Sequence, residues 1–269
     1  MLSQKTAALL RALADKYERD SFMQGDPSRF LRFYSEPREQ ELLSFVVSQL
    51  AFGQREQFLG KLDGMLGCVG TEPFSEWLLE GGCKKFFPKS QKKFYRFFSY
   101  ADMNSLCGRL AEIVGQYGSL GQAVREAYEA SESSSPAKTS GIPDNLRLVT
   151  ALISLFPGQK CVSQNPKGAC KKLHMFLRWM VRRGSPVDLG LWDWASPADL
   201  LIPLDTHVLQ ESARLGLIAP NAAASAKTAI ELTKKMAQVF PGDPARADFA
   251  LFGLGVDKEM GQNDALIKK

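Results

Sequence analysis

Residues 169–183 form the first segment whose side chains could do chemistry. Helical spacing puts Leu173 and Leu177 on one face and three cations, at i, i+7 and i+11, on the other: Lys171, Arg178 and Arg182. The segment is either a core helix with a solvated basic face or a helix that turns its charge to a phosphate backbone or a cleft. In the second case Lys172, Arg178 and Arg182 would bind nucleic acid.

The second segment is Ile202–Val208, where Asp205 stands at the expected N-cap of a helix and His207 follows in its first turn. Capping alone explains an aspartate at this position, and a lone histidine there is more often packed than catalytic. A carboxylate at a helix start could also stabilise a developing positive charge or activate water.

A third segment, Cys83–Tyr100, interleaves cations with aromatic rings. Its members include Lys84, Lys85, Lys89, Lys92, Lys93, Arg96, Phe86, Phe87, Phe94, Tyr95, Phe97 and Phe98. On a nucleic-acid surface the cations meet phosphates while rings stack on bases. In the alternative the rings are core and the lysines are solvated, with residues 94–98 in a helix. We predict phosphate contacts from Lys84, Lys85, Lys92 and Lys93.

The second segment also carries a family resemblance. Leu204-Asp205-Thr206-His207-Val208, followed by a helix ending Ala-Arg-Leu-Gly-Leu, resembles the catalytic-aspartate segment of the helix-hairpin-helix, endonuclease III-like DNA glycosylases. The resemblance implies that Asp205 is catalytic and that the lysine of the bifunctional members is Lys171 or, less well, Lys172. It also implies that Lys171, whose neutral amine would act as a nucleophile, lies near Asp205. It also implies that Gln49 probes the gap left by a flipped base.

This resemblance implies an enzyme that binds double-stranded DNA and cleaves the N-glycosidic bond of a flipped damaged base, with a lysine Schiff-base lyase step in bifunctional members. One alternative is a nucleic-acid-binding module of the same fold without base excision, and another is a helical protein with a protein partner. The residues depart from the family pattern, because Asn165–Lys171 holds one glycine where the hairpin normally has two. The cluster-binding cysteines are also missing, so we expect no cofactor and no metal.

A closer resemblance covers nearly the whole chain, and it is to an uncharacterised bacterial family catalogued as a conserved domain of unknown function. The segments that carry it are Gly168–Leu173, Met175–Arg182, Ile202–Val208, Asp243-Pro244 and Asp248–Gly255. It implies no particular chemistry.

Composition excludes several classes of protein. The 269 residues carry a net charge of +5, which permits a polyanionic partner without requiring one. Five cysteines without C-x-x-C spacing argue against a disulfide framework and a zinc ribbon. No apolar run approaches the ~20 residues of a membrane span. We expect a cytoplasmic monomer that does not bind membranes.

The fold expected to position these residues is all-α, because helical periodicity dominates and no alternating strand pattern stands out. A polar loop is predicted at Ala130–Ser140, with helix resuming at Asp144. By the glycosylase resemblance, residues 41–180 would form one helical lobe, and 1–40 with 187–269 the other, with a cleft between the lobes.

Overall fold

The computed structural model describes residues 2–133 and 144–259. Within these ranges the chain is mostly helical, which confirms the all-α class. The α-helices are α1 (Gln4–Tyr17), α2 (Pro37–Leu50), α3 (Arg55–Val69), α4 (Phe74–Leu79), α5 (Gly82–Phe86), α6 (Tyr100–Tyr117), α7 (Leu120–Ser133), α8 (Arg147–Ser154), α9 (Lys171–Val181), α10 (Thr206–Arg214), α11 (Ala226–Met236) and α12 (Ala247–Glu259). No helix of this described part is both long and apolar enough to cross a bilayer.

Backbone contacts divide the chain into two compact units. The terminal unit comprises Met1–Phe22 and Pro166–Lys269, and the central unit comprises Met23–Asn165. The lobes expected from the sequence had other bounds, 41–180 and 1–40 with 187–269. The two-lobed glycosylase architecture with a cleft stays a prediction.

The terminal unit is built around α12, which packs against α1 and α10. Phe249 and Leu251 of α12 and Leu10 of α1 are fully buried. Helix α9 is also buried from Leu173 to its end at Val181. Only the first turn of α9 therefore reaches solvent, and this turn begins with the lysine singled out by the sequence.

The central unit surrounds α2, which is buried along most of its length. Two glutamates on this helix are buried but satisfied by the starts of other helices. The Glu39 carboxylate accepts hydrogen bonds from the Ser75 N–H and hydroxyl, each at 2.7 Å, and Glu41 accepts from the Leu120 N–H at 2.8 Å. Because unpaired N–H groups at helix starts need acceptors, α2 holds α4 and α7 by capping as well as by apolar packing.

The prediction of a helix over residues 94–98 was wrong. Strands β1 (Lys93–Tyr95) and β2 (Phe98–Ser99) pair antiparallel there, with Tyr95 opposite Phe98. Residues 96 and 97 form the turn, with Arg96 at φ 52°. Phe94, Tyr95 and Phe98 are buried, so ring packing in the core decides the local conformation over helical periodicity.

Two other predicted boundaries differ from those in the structure. Residues 130–133, expected in a loop, belong to α7, and the rest of the predicted polar loop, up to residue 140, lies outside the described residues. Asp144 begins a 3-10 turn, Asp144–Leu146, which leads into α8.

Candidate active site in the terminal unit

Lys171 and Asp205 lie side by side although 34 positions separate them in the sequence. Lys171 is the first residue of α9, and Asp205 is the N-cap of α10. The Lys171 Nζ and the Asp205 Oδ2 are 4.0 Å apart, with 29% and 16% of the two side chains exposed. The pair is thus partly shielded from water but open enough for a ligand to reach it.

The Asp205 carboxylate has a separate contact on each oxygen. Its Oδ1 accepts a hydrogen bond from the Val208 N–H at 2.9 Å, while its Oδ2 is the atom nearest Lys171. The preceding residues 201–204 are buried, and the Ile202 N–H donates to the Thr233 hydroxyl at 3.1 Å. This anchoring fixes the direction of the carboxylate before any ligand binds.

The backbone leading to Lys171 is held as tightly. Gly168 forms an antiparallel bridge with Ser225, and the Ala226 N–H donates to the Lys167 carbonyl at 3.1 Å. Cys170 then takes a left-handed conformation, φ 43° and ψ 34°. Non-glycine residues adopt this conformation at a cost, so the strain falls on the residue next to the candidate nucleophile.

Arg178 and Arg182 were predicted to lie on an exposed basic face, and that prediction was wrong. Their side chains are 4% and 3% exposed. Arg178 Nε lies 3.2 Å from Asp188 Oδ1, and its Nη1 pairs with Asp248. Both arginines also contact the Phe249 ring, with Cζ atoms 4.3 and 5.3 Å from its centroid. Buried and paired in this way, they are not available to phosphate.

Arg182 joins three further segments. It forms two parallel 2.8 Å bonds to Asp243, donates to Glu18 at 2.8 Å and pairs with Asp188. Arg246 also binds Glu18, at 2.6 Å. Burial raises the pKa of Glu18, but Arg182 and Arg246 outweigh it and hold that pKa below its usual value. This ion network therefore ties the chain's N-terminal helix to the segment before α12.

Two buried carboxyls of the network have raised pKa values. Burial is the largest cause for Asp188, and its two arginine partners oppose it without cancelling it. For Asp248, burial and the neighbouring carboxylates of Asp205 and Asp188 outweigh the attraction of Arg178 and Lys171, and the pKa is raised to about 7. The candidate pair thus shares its electrostatic field with a carboxyl that titrates near neutral pH.

The two histidines of the chain differ in environment. His174 is fully enclosed, burial lowers its pKa to about 4, and its Nε2 has no hydrogen-bond partner among the residues described. His207 is half-buried and meets Phe252 edge-on, with ring centroids 5.6 Å apart. His207 follows Asp205 closely in the chain but is packed against a ring.

The lysines predicted to bind nucleic acid in the central unit, Lys84, Lys85, Lys92 and Lys93, are all exposed. Most aromatic rings of residues 83–100 belong to the core: Phe87, Phe94, Tyr95 and Phe98 are at most 6% exposed. Gln49 is fully buried, and its amide donates to the Ser48 hydroxyl at 2.8 Å. Because no part of Gln49 reaches solvent, it cannot probe a gap in DNA in this conformation. Lys172 in the terminal unit is half-buried.

A comparison with protein families decides which family the chain belongs to. The model of a family described as Protein of unknown function (DUF2400) matches residues 26–257. The chain belongs to this family. The match confirms the expected resemblance to a domain family of unknown function, and it spans most of both units of this DUF2400 protein. No curated protein and no solved structure matches the chain significantly.

Sequence reasoning missed three acidic residues of the ion network in this DUF2400 protein: Glu18, Asp188 and Asp243. A signal was present for Asp188, because it is a lone charge within an apolar run, Val187-Asp188-Leu189. A charge flanked by core residues needs a buried partner. Among the described residues, no group of three or more histidine, cysteine or acidic side chains could hold a metal ion.

Proposed function

We propose that this DUF2400 protein is a DNA base-excision glycosylase whose reacting groups are Lys171 and Asp205. The observation that carries the proposal is the separation of 4.0 Å between the Lys171 amine and the Asp205 carboxylate, on two fixed helix starts and with partial exposure. An amine and a carboxylate so placed can reach the same sugar carbon. The resemblance of residues 204–208 to the catalytic segment of the glycosylases supports this substrate class.

In this mechanism the Asp205 carboxylate stabilises the positive charge that builds on the sugar as the C1′–N bond breaks. The base leaves with the bonding electron pair and takes up a proton. Lys171 first gives a proton to solvent, so that Asp205 keeps its negative charge, and the neutral amine then attacks C1′. The attacking nitrogen loses a proton, and the C1′–O4′ bond breaks with its electron pair going to O4′, which takes up a proton. The resulting imine is reduced by borohydride to a stable adduct. If water attacks instead of Lys171, the product is an abasic site.

The ion network of Arg178 and Arg182 supports the proposal, because it limits the movement of the helix that carries Lys171. Arg178, which pairs with Asp248, lies on the same helix as Lys171, and the carboxyl of Asp248 shares the field of both reacting groups. Networks whose members are all paired hold their side chains in one arrangement. The reacting groups therefore need little reorganisation when a substrate binds.

One observation favours a second function, nucleic-acid binding without excision. The Asp205 carboxylate caps α10 and pairs with Lys171, so both groups have a structural role that needs no substrate. On this alternative the exposed lysines of the central unit bind DNA, and the Lys171–Asp205 pair only stabilises the terminal unit.

Borohydride trapping on a panel of damaged-base duplexes separates the two functions, with strand scission after alkali measured in parallel. We expect the wild-type protein to form a covalent adduct, Lys171→Gln to lose it, and the neighbouring Lys172→Gln to keep it. Asp205→Asn should abolish base removal yet preserve folding, because asparagine also caps helices.

Full activity in a well-folded Asp205→Asn protein would contradict the catalytic role of this carboxylate. Trapping that disappears in Lys172→Gln but survives in Lys171→Gln would move the nucleophile to the neighbouring residue. No adduct and no alkali-labile site on any duplex would support binding without excision.

A further inference from the structure

The tip of the β1–β2 hairpin exposes an aromatic ring. The Phe97 side chain is 75% exposed, more than the other exposed large apolar residues of the described chain, Leu79 at 50% and Phe33 at 47%. The rings around it in the sequence are buried, so Phe97 is the ring of segment 83–100 that a ligand can reach over most of its surface.

Local folding preferences do not account for this tip. Two-residue hairpin turns favour glycine, asparagine or aspartate, because their residues take positive φ values. Here the turn is Arg96-Phe97, and Arg96 is at φ 52°. A strained arginine and an exposed ring both oppose folding, and such local conflicts concentrate where a protein acts on something else.

The ring is held firmly from one side. Phe52 stacks on Phe97 with centroids 5.3 Å apart and planes 15° apart, and the Tyr95 hydroxyl donates to the Phe52 carbonyl. Gly53 lets the hairpin approach, because a Cβ at residue 53 would lie 2.8 Å from the Tyr95 hydroxyl oxygen. The exposed part of Phe97 is therefore a preorganised apolar surface, not a loose side chain.

The charged residues that neighbour the ring in the sequence are all basic. Residues 82–99 contain six cations and no acidic residue. Lys92 and Lys93 enter the hairpin and are exposed, and the Arg96 guanidinium carbon lies 5.8 Å from the Phe97 ring centroid. An exposed ring among exposed cations complements a polyanion that carries flat apolar groups, which is the chemistry of an unpaired strand of nucleic acid.

We propose that Phe97 is a stacking platform for an unpaired base of single-stranded DNA, with the flanking phosphates bound by Lys92, Lys93 and Arg96. This site lies in the central unit and does not depend on any chemistry at Lys171. It assigns a specific strand form to the basic segment, because a fully paired duplex keeps its base faces stacked on one another.

The test is fluorescence anisotropy of the full-length protein with a labelled single-stranded oligonucleotide and with a blunt-ended duplex whose bases are all paired. We expect Phe97→Ala to weaken single-strand binding about tenfold, since one base–aromatic stack contributes an effect of that order. Phe97→Trp should retain binding. Duplex affinity should not change, and neither should the salt dependence of single-strand binding, because no charge is removed.

Phe33→Ala is the matched control, since it removes another exposed ring of the same unit and should leave single-strand affinity unchanged. Equal losses with the single strand and the duplex would show a wedge inserted between paired bases and would overturn the stacking site. Unchanged single-strand affinity in Phe97→Ala would overturn it as well, as would the absence of single-strand binding by the wild-type protein. Failure of excision and failure of stacking are separately visible, because excision is read as a borohydride adduct on a damaged-base duplex and stacking as the loss of single-strand affinity in Phe97→Ala.

Discussion

Replacing Asp248 by asparagine should change how the stability of the protein depends on pH. Asp248 is buried against Arg178, and burial raises its pKa from the ordinary 3.8 of an aspartate to about 7. Asparagine keeps the shape of the protonated side chain and an oxygen that can accept from Arg178, but it cannot ionise. The substitution thus removes a titration while leaving the packing of α12 in place.

The sign follows from proton binding. Between pH 3.8 and about 7 the native protein keeps the Asp248 proton while the unfolded chain has released it. The free energy of unfolding contributed by this group therefore falls as pH rises through that window and is constant above it. At about 1.4 kcal/mol for each pKa unit, the free energy of unfolding of the wild type should fall by about 2 to 3 kcal/mol relative to that of Asp248→Asn between pH 5 and pH 8.

Urea unfolding of both proteins at pH 5, 6, 7, 8 and 9 measures this difference, and any fixed cost of the amide cancels between pH values. The difference should grow up to about pH 8 and then stay level to pH 9. A difference that is the same at pH 5 and pH 8 would refute the reasoning, because Asp248 would then be ionised throughout. A difference of opposite sign would mean that the pairing with Arg178 outweighs burial.

Two further substitution sets test other parts of the structure. Between pH 7 and pH 5 the free energy of unfolding of the wild type should fall by about 2 kcal/mol relative to that of His174→Gln. The reason is that the native pKa of His174 is lowered to about 4, so the unfolded chain takes up the proton first as the pH falls. Urea unfolding at both pH values measures this difference, and a difference that does not change with pH would contradict the prediction. Replacing Lys84, Lys85, Lys92 and Lys93 together by alanine should change the salt dependence of DNA binding. The slope of the logarithm of the binding constant against the logarithm of the salt concentration should become less steep by about 3 to 4 if all four lysines contact phosphates. An unchanged slope from anisotropy titrations at several salt concentrations would exclude this cluster from the backbone contacts.

Helix positions were predictable where one apolar face is long and a cap is clear. Helix α10 begins after Asp205, as the capping residue predicts, and α9 falls within the predicted range 169–183. Residues 93–99 were not predictable in this way, because their rings have helical spacing and the turn lacks the usual glycine or asparagine. Contacts with Phe52, more than forty positions away, fix the hairpin, and such contacts leave no local pattern.

The candidate site was predictable only in part. Asp205 stood out because a cap followed by a helix can be recognised locally, and its closeness to Lys171 followed from a resemblance. The burial of Arg178 and Arg182 could not be predicted, because a helical wheel shows which residues share a face but not what packs against that face. In the structure the cover consists of carboxylates from α12, the loop after α9 and the N-terminal helix, which are distant in sequence.

This burial changes what the net charge of the chain means. Arg178 and Arg182 count toward the formal +5, yet each is neutralised inside the terminal unit by carboxylates at hydrogen-bonding distance. The six cations of residues 82–99 have no acidic residue among them. The predicted phosphate contacts of this cluster therefore lie in the central unit, whereas the amine and carboxylate suited to bond cleavage lie in the terminal unit. Substitutions in one unit should change DNA affinity and those in the other should change covalent chemistry, and each effect can be measured without the other.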